Sequence, residues 1–251
     1  MKQKKYNLEF YSPKLLVSFK NLYEISNEVL DEIDILDLKN PEKGSIGSWS
    51  KQGIRKATSK FGRKKKISAT LGDIMDTQNL LKRLNDFDKL DLCFIKFGLF
   101  SFGNANLLER IKLIGEKKYH TELVCVIFVD DKRTVSFTLK NLEFFKIFGI
   151  KYLLLDTFKK NDKDLLSFCN EPFLRKFINE CKGYKIRVGL AGKIKEKQIP
   201  FLINLKPDII GLRSAVCEKY QRNSTIEIGK LKKISSYFSF SKSRANERAG
   251  A

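Results

Sequence analysis

Eight short apolar runs, each followed by a charged amphipathic stretch, recur along the chain at an average spacing of roughly thirty residues. They are 15–20 (LLVSFK), 34–39 (DILDLK), 66–71 (KISATL), 92–99 (LCFIKFGL), 123–129 (LVCVIFV), 152–157 (YLLLDT), 187–192 (RVGLAG) and 209–214 (IIGLRS). Most are nearly continuous apolar stretches, the pattern of parallel strands covered on both faces. Between them lie helical stripes. Segment 104–118 aligns Leu107, Leu108, Ile111 and Ile114, and segment 138–149 aligns Leu139, Leu142 and Phe145 with Ile147 or Phe148. Segment 165–182 carries Leu165, Leu166, Phe168, Phe173, Leu174 and Phe177, with a break near Pro172.

Eight strands alternating with helices predict an α/β fold, a closed (βα)₈ TIM barrel in a single domain. A length of 251 residues suits one such barrel. No Gly-x-Gly-x-x-Gly follows the first run, which argues against a dinucleotide-binding sheet. Residues 14–240 are assigned to the barrel, 1–13 to an N-terminal extension and 241–251 to a flexible C-terminal tail.

Composition narrows the class further. Hydrophobic residues at 42%, with 20 Phe, exclude a disordered chain. The five cysteines, Cys93, Cys125, Cys169, Cys181 and Cys217, are odd in number and lack a CxxC pair, so they read as reduced thiols. Leu15 to Val17, after Lys2, Lys4 and Lys5, is too short for a signal sequence or membrane span. A cytoplasmic protein without membrane attachment is expected. The net charge of +20 is densest at 51–66, where Lys51, Arg55, Lys56, Lys60, Arg63, Lys64, Lys65 and Lys66 occur without an acid. Such a stretch is either a lysine-rich solvated face or an attractor of anionic substrates and polyanions.

The informative charges are those inside apolar strands. In DILDLK, Asp37 and Lys39 are two apart, so both point to one face at the C-terminal end of the strand, where barrel enzymes keep their chemistry. Lys96 shares a face with Phe94 in LCFIKFGL, Asp156 ends YLLLDT, and Lys160 lies four residues on. These five residues lie on strands 2, 4 and 6 or in the loop directly after strand 6, and even-numbered strands feed one layer of a barrel. Burying an unpaired ammonium is costly, so lysines and carboxylates at one mouth suggest function. Desolvation and a neighbouring ammonium lower a lysine pKa, turning the amine into a nucleophile towards a carbonyl. A carboxylate nearby moves protons as the carbinolamine collapses to an imine. This chemistry needs no metal and no organic cofactor. The residues alone leave open which lysine is the nucleophile. His120 is the only histidine, a poor basis for a zinc site or a Ser-His-Asp triad.

Other segments look suited to phosphate. Gly192 and Lys193 follow strand 7, and Gly211, Arg213 and Ser214 belong to strand 8, where barrels commonly cradle phosphate. Gly44, Ser45 and Gly47 sit in a loop directly after strand 2, placed to fold over a second anionic group. A small phosphorylated carbonyl compound is the expected partner, rather than nucleic acid.

At this point the chain resembles the (5-formylfuran-3-yl)methyl phosphate synthase family of methanofuran biosynthesis. The strings that carry the resemblance are LLVS (15–18), DILDLKNPEKGSIG (34–47), ISATLGD (67–73), IKFGL (95–99), LLDTFKK (154–160), LAGKIKEKQIP (190–200) and DIIGLRSAVC (208–217), then Arg222-Asn223. The resemblance implies condensation of two glyceraldehyde 3-phosphate molecules to 4-(hydroxymethyl)-2-furancarboxaldehyde phosphate, with loss of phosphate and water. It implies Lys39 as the Schiff-base residue and Lys96 as a proton acceptor, with Lys160, Asp37 and Asp156 completing the site in a homo-oligomer. Departures fall at Ile74-Met75-Asp76-Thr77, Phe100-Ser101-Phe102-Gly103, Phe128-Val129-Asp130-Asp131 and Lys193. Two other readings stand beside this one, a different Schiff-base aldolase acting on a phosphorylated sugar and a non-catalytic basic barrel binding nucleic acid through 51–66.

Overall fold

The computed structural model describes residues 12–101, 106–159 and 163–249. Eight parallel strands close in sequence order into a barrel. They are β1 (Lys14–Phe19), β2 (Ile35–Leu38), β3 (Lys66–Thr70), β4 (Phe94–Leu99), β5 (Glu122–Phe128), β6 (Tyr152–Asp156), β7 (Arg187–Leu190) and β8 (Ile209–Leu212). The helices are α1 (Asn27–Asp31), α2 (Lys51–Phe61), α3 (Thr77–Phe87), α4 (Leu107–Gly115), α5 (Lys132–Lys140), α6 (Leu142–Ile147), α7 (Leu165–Phe168), α8 (Glu171–Gly183), α9 (Ile199–Asn204) and α10 (Ile228–Ala249). The single (βα)₈ barrel expected from the apolar periodicity is the fold observed.

Strand pleating sorts the apolar residues into two layers. Val17, Leu36, Ile95, Leu153, Val188 and Ile210 face outward and join the helices in one continuous core. Their neighbours Leu16, Ile35, Phe94, Val124, Val126 and Leu154 face inward and fill the barrel. The register aligns Ser18, Asp37 and Ser68 across β1, β2 and β3, and pairs Thr70 with Lys96. A row of polar side chains therefore crosses an otherwise apolar interior. At the opposite end, Arg187 lies over the Tyr152 ring and donates to its hydroxyl at 2.9 Å, while Phe94 meets Tyr152 edge-on.

Two expectations about the helices are modified. The single helix expected at 138–149 is split into α5 and α6 at Asn141 (φ −129°, ψ 26°), whose amide side chain donates to Phe137 O at 2.7 Å. An Asn that bonds the preceding turn competes with the helical ladder. The break expected near Pro172 falls at Cys169 and Asn170. Asn170 caps α8 by accepting from Phe173 N, with Pro172 in the first turn where its missing N–H is harmless. Residues 241–249 continue the backbone of α10.

The basic stretch becomes helix α2 and the turn after it. Ile54, Ala57, Thr58 and Phe61 are buried, leaving Arg55, Lys56 and Lys60 on the outer face. Lys51 pairs with Asp86, Lys64 donates to Asn27, and Lys65 donates to Ile33 O. No helix among the described residues is long and apolar enough to cross a membrane.

Candidate active site

Two lysine–carboxylate pairs stand at the C-terminal mouth of the barrel, built from alternate strands. Lys96 Nζ on β4 lies 2.6 Å from Asp37 Oδ2 on β2, with both side chains buried. Lys39 Nζ, just beyond β2, lies 3.2 Å from Asp156 Oδ2 at the end of β6. Ser18 Oγ on β1 donates to Asp37 Oδ2 at 2.7 Å, and Thr157 N donates to Asp156 Oδ1 at 2.7 Å. Each carboxylate is thus fixed by a neutral donor as well as by an ammonium, the condition under which buried charge is tolerated.

The two lysines occupy different environments. Burial pushes the Lys96 ammonium below the usual lysine range, with Asp37 opposing that shift and the nearby Lys39 charge adding to it. Lys39 stands higher in the mouth, its side chain 13% exposed. Both line a cavity of about 360 Å³, together with Asp156 and residues of the loops after β7 and β8. Lys160, the fifth residue expected in this cluster, lies outside the described residues.

Gly192, Lys193, Gly211, Arg213 and Ser214, the residues expected on a phosphate side, all line the same cavity, but the donors of Arg213 are engaged within the protein. Its Nη1 and Nη2 grip Glu24 at 2.7 and 2.8 Å. Its remaining donors reach Ser18 O at 3.0 Å, Arg222 O at 2.8 Å and Ser224 O at 2.7 Å. All five guanidinium N–H groups are engaged, so a phosphate there would have to displace a buried carboxylate. The expected phosphate role of Arg213 is therefore replaced by that of an anchor tying β8, β1 and the 217–226 loop together.

The second expected phosphate loop is also corrected. Asp73 accepts from Ser45 N at 2.8 Å and Ile46 N at 3.0 Å, so those amides are not available to an anion. Ser45 Oγ donates to Phe158 O, and Gly47 O accepts from Asn40 N and Thr70 Oγ1. Gly44 has φ +112°, and a Cβ there would stand 2.3 Å from Asp73 Oδ2. Its glycine is required by the loop fold rather than by a ligand. Gly44, Ser45 and Gly47 clamp the β2 loop, and none lines the cavity.

Arg222 is the residue the pattern missed. Its Nη2 donates to Pro41 O at 2.6 Å and Gly44 O at 2.7 Å, joining the loops after β8 and β2 across the mouth. Its Nε and Nη1 have no hydrogen-bond partner among the described residues, and the side chain lines the cavity. Burial draws its guanidinium pKa downward, and the charges of Asp156 and Asp73 act against this. In the sequence Arg222 stands out only as part of the Arg222-Asn223 match, and its role shows once the tertiary fold brings Pro41 and Gly44 to it. Among the described residues, no group of three or more His, Cys, Asp or Glu is arranged to hold a metal ion.

This geometry makes the chain a (βα)₈-barrel enzyme with an ionic site at the strand ends. Phosphoribosylanthranilate isomerase from Thermotoga maritima superposes with a TM-score of 0.63 at 13% identity, over 91% of this chain and 99% of that one. The 3-hexulose-6-phosphate synthase of Salmonella typhimurium gives 0.61 at 17% identity, again over 91% and 99%. At such identities these likenesses concern the fold alone. A sequence model of the family described as 4-HFC-P synthase matches residues 15–235, and the chain belongs to that family. Curated relatives named (5-formylfuran-3-yl)methyl phosphate synthase include one from Methanocaldococcus jannaschii, 31% identical over 227 residues, covering 84% of this chain and 92% of the relative. Another, from Methanococcus maripaludis, is 32% identical over 224 residues, covering 83% and 92%.

The buried Lys96–Asp37 pair sets a stability test. Lys96→Met strands the Asp37 charge and is expected to lower unfolding free energy by about 3–5 kcal/mol. The double variant Asp37→Leu/Lys96→Met removes both charges and is expected to stay within about 2 kcal/mol of the parent. Urea unfolding of the parent and the two variants measures both. A double variant less stable than Lys96→Met would contradict the account.

Proposed function

We propose that the chain is a Schiff-base lyase that condenses two molecules of glyceraldehyde 3-phosphate into 4-(hydroxymethyl)-2-furancarboxaldehyde phosphate, releasing phosphate and water. The observation that carries this reading is the unequal pair of lysines in one cavity, Lys39 towards the opening and Lys96 buried beneath. Membership of a family whose curated relatives bear the synthase name supports it.

In this mechanism Lys39 attacks the aldehyde of one triose phosphate, and loss of water from the carbinolamine gives an imine. Asp156, in contact with Lys39, positions the ammonium and stabilises the iminium charge. Lys96, whose ammonium is pushed down by burial, takes and returns the protons of enolisation and elimination. Asp37 holds Lys96 in place. The imine itself is the electron sink, so the reaction calls on no metal or organic cofactor. Lys160 remains the second candidate for the imine.

One phosphate group is read against Gly192, Lys193, Gly211 and Ser214, and Arg222 offers the remaining N–H groups of its Nε and Nη1 to phosphoryl oxygens. A cavity of about 360 Å³ accommodates small phosphorylated carbonyl compounds rather than a polymer.

Borohydride reduction in the presence of glyceraldehyde 3-phosphate, followed by peptide mass analysis, is expected to place a stable adduct on Lys39 and none in Lys39→Ala. Absence of an adduct on both Lys39 and Lys160 would overturn the mechanism. An adduct without a furan chromophore would instead mark a different Schiff-base aldolase. Arg222→Ala is expected to raise KM for the triose phosphate about tenfold or more while kcat changes little, as for loss of a charge-assisted hydrogen bond. Steady-state kinetics test this, and an unchanged KM would remove Arg222 from substrate binding.

A further inference from the structure

Asp37 is fully buried, yet both of its side-chain donors, Ser18 Oγ and Lys96 Nζ, meet the same oxygen, Oδ2. Oδ1 is buried with no hydrogen-bond partner among the described residues. One strand away on β3, Ser68 is the register partner of Asp37, so both side chains rise from adjacent strands on the inner face. Ser68 is 1% exposed, and its Oγ likewise has no protein partner. Two unsatisfied polar atoms on neighbouring strands inside one barrel are not a coincidence of packing, because a buried carboxylate oxygen without a donor is strongly disfavoured.

Ser68 and Lys96 also line a second cavity, of about 20 Å³, beneath the mouth. The rest of its wall is mostly apolar, including Leu16, Phe94, Val124 and Leu154. A volume of about 10–15 Å³ holds one water, provided that two or more polar groups reach it. Of the residues lining it, Ser68, Lys96 and Tyr152 carry polar side chains, the Tyr152 hydroxyl already accepting from Arg187, and Asp37 stands beside Ser68 through the β2–β3 register. Lys96 lines both this lower cavity and the larger one at the mouth.

We propose that a single structural water occupies the lower cavity, bridging Ser68 Oγ to Asp37 Oδ1, and that Ser68 is thereby a positioning residue for the Asp37–Lys96 pair. The water donates one proton to Oδ1 and exchanges a hydrogen bond with the Ser68 hydroxyl. Asp37 is then held on both oxygens, which fixes its carboxylate plane and keeps Oδ2 directed at Ser18 and Lys96. No bond is made or broken at Ser68. Its effect on turnover passes through the orientation of Lys96, and that kinetic part rests on the proposed role of Lys96 as proton carrier.

A crystal structure of the full chain that resolves ordered water is expected to show one water within hydrogen-bond distance of both Ser68 Oγ and Asp37 Oδ1. A dry cavity, or a water that touches neither atom, would overturn the proposal whatever the substrate proves to be. In the kinetic arm, Ser68→Ala is expected to lower kcat for furan formation about tenfold with KM within about twofold, the size of one hydrogen bond to a charged group. Ser68→Gly leaves space for a second water in place of the hydroxyl and is expected to turn over faster than Ser68→Ala. Equal kcat for Ser68→Ala and the parent, or a glycine variant no faster than the alanine one, would contradict the positioning role. If the parent forms no furan, the crystallographic arm still decides the water site, and only the proposed function fails.

Discussion

The close contact of Lys96 with Asp37 inside the barrel is the constraint around which the site is organised. Two charges removed from water gain little from each other unless the geometry is tight and further hydrogen bonds satisfy what remains. Here the contact is 2.6 Å, and Ser18 supplies an additional donor. The arrangement requires β1, β2 and β4 to keep their register, since a shift of one residue would turn Asp37 or Lys96 out among the helices. The same alternation that fills the barrel with Leu16, Ile35 and Phe94 therefore places the reactive charges.

Above that layer, ionic contacts position the loops. Asp73 holds the β2 loop by its amides, and Arg213 with Glu24 holds the 217–226 loop. Asp130 accepts from Phe158 N and Lys159 N, fixing the chain just after β6. Asp131 accepts from Ser101 and Thr134, joining the end of β4 to α5. Spending these polar groups on loop structure leaves a short set facing the cavity, of which Arg222 carries the most directional unused donors. A guanidinium already held on one side by Pro41 O and Gly44 O loses little further freedom when it meets an anion.

Much of the fold was legible because the chain repeats one simple unit. Strand phase separated Asp37, Lys39, Lys96 and Asp156 from a surface crowded with lysine, and the structure brings those four together in two pairs. The loops were less legible for a physical reason. Glycine and serine in 44–47 show that the backbone turns sharply, but they do not show whether Asp73 or a ligand accepts from the amides. Arg213 and Arg222 differ only in what the fold places beside them, and Glu24 lies far away in sequence. The break at Asn141 was hidden within a continuous apolar stripe, because Asn is tolerated on a helix surface and becomes a breaker only when its side chain bonds the preceding turn.

Burial holds one lysine of the mouth in a state different from that of an ordinary surface amine. Titration of ¹³Cε-labelled lysines by NMR in the full chain, with the Lys96 resonance assigned through Lys96→Arg, measures it directly. Lys96 is expected to lose its proton at a pH below that of ordinary lysines, which titrate at about 10.4. A Lys96 resonance that titrates with or above the surface lysines would contradict it.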